Sequence, residues 1–167
     1  GQLNSETDIK GYLQLSEYYT NLYKAIVRAN TIIANIDRGR DNGILEAKLL
    51  NYEAQARFTR AYHYGMLVFH FGDVVSVVNA TTIEESYTMA RSPKADVIKK
   101  IYEDFDFAIN NLPEKNAGLQ TATRGAALAL KARFALWFGD WAIASQAASE
   151  CMKLADKGIY RLHPDFG

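Results

Sequence analysis

Apolar residues return every three or four positions along five separate stretches of this 167-residue chain, and that spacing predicts an all-α fold. The first stretch, residues 16–37, carries Tyr19, Leu22, Tyr23, Ile26, Ala29, Ile33 and Ile36, and "DRGRDNG" (37–43) ends it. The second runs from about Ile44 to Phe71 with Leu45, Leu49, Tyr52, Ala56, Tyr62, Met66 and Phe69, and Gly72 stands where a left-handed terminating residue is needed. "VVSVV" (74–78) is short and β-branched, hence extended. "RSPK" opens a third helix with Ser92 as cap and Pro93 in the first helical position, a stripe of Val97, Ile101, Phe105, Ala108 and Leu112, and a stop at Pro113. Thr121 or Thr123 caps a fourth that stops at Gly139, and Asp140 can cap a fifth from Trp141 to about Asp156, closed by Gly158.

The pieces repeat. "FGDV" (71–74) and "FGDW" (138–141) each follow a helix rich in alanine and aromatic residues, and their glycines lie 67 residues apart. That is close to twice the roughly 34-residue period of tetratricopeptide repeats. Alanines in "AALALKARFALWFGDWAIASQAASECM" suit close antiparallel packing, so stacked helix pairs with short extended segments are expected. Trp137, beside Phe134 and Phe138, is expected to be largely buried between the fourth and fifth helices.

Composition narrows the function classes. Hydrophobic residues make up 49%, which excludes a disordered chain, and nineteen basic residues balance nineteen acidic ones, so no global field recruits nucleic acid or an anionic membrane. No stretch of about 18 apolar residues is present for a transmembrane helix. The single cysteine, Cys151, lies in a periodic apolar segment and is expected to act as a small buried hydrophobe. Residue 1 is glycine, and "GIYRLHPDFG" at the other end reads as a chain leaving a helix, so residues 1–167 are expected to be one helical domain fragment of a protein that continues at both ends.

Chemistry-bearing clusters are weak. His63 and His70 lie seven residues apart, about 10.5 Å along a helix axis, too far for one zinc ion to be gripped easily by both. There is no HExxH, paired CxxC, GxSxG or glycine-rich phosphate loop. No catalytic residue, metal ligand or cofactor is therefore expected. Glu103, Asp104 and Asp106 in "EDFDF" are placed on a solvated face opposite the apolar stripe, and Glu53 with Arg57 forms a surface pair. "NAT" (79–81) matches a glycosylation acceptor, a triplet too common to weigh. In "EAQARFTRAYHYGMLVFHFGDV" (53–74), Arg57, Arg60 and His63 run along one flank and Tyr62, Met66 and Phe69 along another, an amphipathic helix whose role is structural. These residues leave open a soluble tetratricopeptide-type adaptor that holds a peptide partner in its groove.

The same stretch resembles the signature helix of the SusD/RagB family of outer-membrane nutrient-binding lipoproteins. Further matches follow in order: "YKAIVRANTIIANID" (23–37), "RSPKADVIKKIYEDFDFAINNLPE" (91–114), "TRGAALALKARFALWFGDWAIASQAA" (123–148) and "GIYRLHPDF" (158–166). The proline usual after "FGDV" is Val75 here, and the family's lipidated cysteine and long carboxy-terminal part are absent from this sequence.

The resemblance implies a SusD-like helical superhelix that captures oligosaccharides, or sometimes peptides, without catalysis. It further implies a SusC-like TonB-dependent transporter as partner, and attachment to the external face of the outer membrane through a lipid alone. In such proteins the loop ahead of the first long helix can join the glycan platform. Asn4 and Tyr12 are the contributors that residues 1–13 offer, and most of the site is expected outside this chain.

Overall fold

The computed structural model describes residues 6–77, 88–115 and 121–160, with side chains from residue 14 onward. Five long helices and one short one account for most of them: α1 (Glu6–Ala34), α2 (Ile36–Asp41), α3 (Glu46–Phe71), α4 (Lys94–Asn111), α5 (Arg124–Phe138) and α6 (Trp141–Asp156). Among the described residues there is no strand, only a single antiparallel bridge between Val74 and Ser92. The chain is all-α, as its periodicity predicts. Successive helices fold back on one another, α1 on α3, α3 on α4, α4 on α5 and α5 on α6. Among the described residues no helix is long and apolar enough to cross a membrane.

The ends of the elements differ from expectation in instructive ways. α1 begins at Glu6, ten residues before the expected start, and "DRGRD" continues as α2 after a turn at Asn35 rather than ending the helix. Ser92 does not cap α4. Its amide bonds the Val74 carbonyl oxygen at 2.9 Å, Pro93 occupies the cap position, and the Lys94 amide donates to the Asp73 carboxylate at 2.8 Å. The cap therefore comes from a residue 21 positions earlier, carried by the "FGD" turn. Gly72 makes that turn at φ 71°, ψ −120°, where a side chain would be strained.

The second "FGD" also reaches α4. Asp140 makes no side-chain cap on α6; its carboxylate accepts the Tyr102 hydroxyl at 2.5 Å. Thr123, rather than Thr121, caps α5, accepting from the Ala126 amide at 3.3 Å.

The core lies where α1, α3, α4 and α5 meet, around Ile26, Leu67, Ile101, Phe105, Leu128 and Phe134. The expected stripe of α4 is buried throughout, from Val97 to Leu112. That of α3 is not. Leu49 and Ala56 are buried, but Leu45, Tyr52 and Phe69 are exposed, while Ala54, Ala61, Tyr64, Leu67 and Val68 form its inner side. α3 touches α1, α2, α4 and α5, so its buried residues wrap around it instead of keeping one face. Gly65 is required on this crowded helix, because a Cβ there would stand 2.5 Å from the Phe134 ring.

Two charged residues sit inside this core. Asp104 is buried, contrary to its expected place on a solvated face, and receives the Arg60 Nε at 2.7 Å on one oxygen and an Arg60 terminal nitrogen at 2.8 Å on the other. Glu103 and Asp106 are exposed as expected, Asp106 pairing with Lys131 at 2.5 Å. Arg57 also reaches Asp104, at 3.2 Å, while bonding Glu53 at 2.7 Å and lying 4.4 Å over the Phe107 ring. The Glu53–Arg57 pair thus belongs to a partly buried cluster, not to the open surface. Asp104→Ala removes the carboxylate that pairs with the buried Arg60 guanidinium, and is expected to lower stability by about 3–5 kcal/mol. Urea unfolding followed by circular dichroism checks this; an unchanged midpoint would show that the ion pair does not hold the helices.

Candidate functional site

The signature helix does two separate things, one inside the molecule and one at its edge. Inside, its polar groups hold the extended segment that follows it. Arg60 donates to the Asn30 side-chain oxygen at 2.8 Å, and Asn30 donates through Nδ2 to the Val77 carbonyl oxygen at 2.7 Å. The Tyr64 hydroxyl donates to that same carbonyl at 2.9 Å and accepts the Val77 amide at 2.6 Å. Tyr23 donates to the Val75 carbonyl at 2.9 Å. Among the described residues, positions 75–77 have no ladder partner, so these side chains satisfy backbone groups that burial would otherwise leave unpaired.

Burial pushes the Tyr64 hydroxyl up to about 12, although its bond to Val77 acts in the opposite direction. Burial, then the contact with Tyr19, pushes Tyr23 further upward. Both folded values lie above the ordinary 10. Their contribution to stability is therefore fully present below pH 10 and is lost as pH rises from there through about 12. Helicity is expected to fall over that window together with a late rise in tyrosinate absorbance; simple titration at the ordinary value with no structural change would show that these hydroxyls are not held.

At the edge, α3 and α5 bring aromatic rings to the surface in their last turns. Phe69 is 47% exposed and Trp137 is 40% exposed, and their rings stack with centroids 4.3 Å apart and planes 28° apart. His70 meets Phe69 at 5.0 Å and Tyr18 of α1 at 5.6 Å, both edge-on. Trp137 is thus not largely buried. Its inner neighbour is Phe134, edge-on at 5.3 Å, and its outward side forms a shelf with Phe69. Each shelf residue closely precedes a helix-terminating glycine, Phe69 before Gly72 and Trp137 before Gly139; the apolar spacing of α3 places Phe69 inward, and the neighbours Phe134 and Phe138 place Trp137 there, whereas both rings reach the surface. With this exposure Trp137→Ala is expected to cost about 2 kcal/mol, below the roughly 3–5 kcal/mol of a fully buried large aromatic residue. A loss in the upper range on urea unfolding would return the indole to the core.

Among the described residues the shelf offers ring faces but no convergent set of donors, which suits contact with an apolar surface. His63 is turned away, its Nδ1 donating to the Thr59 carbonyl at 2.7 Å. Among the described residues no group of three or more His, Cys, Asp or Glu side chains could hold a metal ion. Cys151 is half-buried against the core, its Sγ 3.7 Å from the Gly125 carbonyl oxygen. Asn4 and the side chain of Tyr12 lie outside the described residues, as does "NAT" at 79–81.

Comparison with known proteins gives a consistent result. The SusD-like family, described as starch-binding and associating with the outer membrane, matches residues 2–136. SusD-like protein P2 of Formosa agariphila is 29% identical over 153 residues, which cover 91% of this chain and 30% of that protein. SusD-like protein P25 of the same organism is 25% identical over 154 residues, 90% of this chain and 28% of its own length. Among solved structures, a SusD-like carbohydrate-binding protein from Bacteroides fragilis superimposes with a TM-score of 0.75 at 29% identity, over 85% of this chain and 28% of that one. Surface glycan-binding protein A from Bacteroides uniformis gives 0.77 at 26% identity, over 90% of this chain and 34% of that one. The chain spans less than a third of the length of these curated relatives.

Proposed function

The chain belongs to the SusD-like family, and from that premise we propose that it is the helical scaffold of a non-catalytic oligosaccharide-capture protein. In this reading the whole protein works at the external face of the outer membrane, held there by a lipid, and passes its ligand to a SusC-like TonB-dependent transporter. The observation that carries the reading is the family match over residues 2–136. The relatives named for glycan and carbohydrate binding support the ligand class.

What this part of the protein contributes follows from its surface. Sugar rings are well hydrated, so capture needs several aromatic faces and fixed donors held together, enough to offset the free-energy cost of association. The Phe69–Trp137 shelf supplies ring faces without a converging donor set. Asn4 and Tyr12 are proposed as minor contributors, and the main platform is proposed to lie in the parts of the protein beyond this chain.

Calorimetry of residues 1–167 and of the full-length protein, against one panel of oligosaccharides, tests this. The fragment is expected to bind at least about 100-fold more weakly, ~2.8 kcal/mol. Equal affinities would move the site into residues 1–167. A full-length protein that binds peptides and no oligosaccharide would replace the ligand class altogether.

A further inference from the structure

A groove of about 480 Å³ runs along the outer side of α1, lined by Tyr19, Thr20, Tyr23, Lys24, Val27 and Arg28. From Tyr18 to Ile36 the charged residues are Lys24 and Arg28 alone. Both are exposed, and among the described residues neither has a carboxylate partner; Lys24 reaches the Asn21 side-chain oxygen at 3.4 Å. Four positions apart, they stand about 6 Å from each other along the helix axis, and like charges at that spacing repel. Lys100 of α4 adds a third cation without a carboxylate among the described residues. Its ammonium donates to the Ser76 hydroxyl at 3.2 Å, and Ser76 follows Val75, whose carbonyl accepts the Tyr23 hydroxyl.

The tyrosines turn their polar ends away from the groove. Tyr19 donates to the Tyr23 hydroxyl at 3.4 Å and Tyr23 donates to Val75 at 2.9 Å, with the two rings 4.9 Å apart. What they offer the groove is ring carbon, extended by Val27, which is 51% exposed. Thr20 donates its hydroxyl to the Ser16 carbonyl at 2.9 Å, and its lone pairs remain able to accept from an incoming hydroxyl.

Each of these features constrains the ligand. Cations that repel one another and lack a carboxylate favour an anion between them, and the Arg28 guanidinium can meet a carboxylate or sulfate in a fork. An aromatic floor with few polar groups beside it suits a ring that has an apolar face and hydroxyls at its edge. A membrane surface fits poorly, because anionic lipid is recognised by clusters of about four to eight basic residues.

We propose that the α1 groove is an auxiliary site for acidic saccharides, in which a uronate carboxylate or a sulfate group sits between Lys24 and Arg28 and its sugar ring lies against Tyr19 and Tyr23. The inference rests on the oligosaccharide reading and adds to it the charge class of the ligand; the main platform is a separate site.

The test is calorimetry of the full-length protein against uronate-bearing, sulfated and neutral oligosaccharides of equal length. At low salt at least one acidic series is expected to bind about 10-fold more tightly than the neutral one, with the difference shrinking as salt is raised. Lys24→Gln with Arg28→Gln should abolish that preference and leave neutral binding unchanged. Lys24→Arg with Arg28→Lys, which keeps both charges, should retain it. A protein that binds neutral saccharides with no preference for acidic ones would overturn the proposal and leave the functional reading standing. A preference that survives the glutamine substitutions would overturn it by placing the anionic group elsewhere. Loss of binding to vesicles of anionic lipid, with saccharide binding unchanged, would overturn it in favour of a membrane contact. A protein that binds no saccharide at all would remove the functional reading, and this inference with it.

Discussion

The contact on which the rest of this structure depends is the pair formed by Arg60 and Asp104. Two charges removed from water must find each other with good geometry, and here the guanidinium meets both carboxylate oxygens in a fork. Arg60 lies on α3 and Asp104 on α4, and a third helix joins when Arg60 bonds Asn30 on α1. Apolar packing alone tolerates sliding of one helix past another. A forked pair with a third partner does not, so the contact sets the register of three helices. A lysine in place of Arg60 would keep the charge and lose the fork.

From that point the order spreads outward through backbone groups. Asn30 and Tyr64 both hold the Val77 carbonyl, Tyr23 holds that of Val75, and the segment leaving the signature helix is fixed against α1 and α3. Its first residues then hold α4 from the other side, through the Asp73 cap and the Val74–Ser92 bridge. Asp140 repeats the arrangement from the end of α5 by taking the Tyr102 hydroxyl. The two "FGD" turns are therefore alike in purpose: each uses its aspartate to tie the end of one helix to α4.

The interior polar groups are committed to structure, and two aromatic or apolar features lie at the surface, the Phe69–Trp137 shelf and the α5/α6 groove. The shelf is a small stacked pair at the ends of two helices, while the groove runs between α5 and α6 beside Leu136 and Trp141.

Periodicity by itself determined the helical class, the inner stripe of α4 and most of that of α1, and the terminating role of Gly72, because these depend on contacts close in sequence. The motif resemblance likewise pointed to the family that matches residues 2–136. The place of Asp104 was within reach as well: it lies seven residues after Val97 and three after Ile101, on the apolar stripe itself, and a charge in that register signals a buried partner. Which residue would meet it could not be read, since Arg60 is 44 positions away and becomes its neighbour only when α3 and α4 pack. The same holds for the Asp73 cap on Lys94, which displaced Ser92, and for the outward turn of Phe69 and Trp137. An apolar residue on a helix surrounded by several neighbours faces inward or outward according to where those neighbours stop, and that boundary is a property of the assembled helices alone.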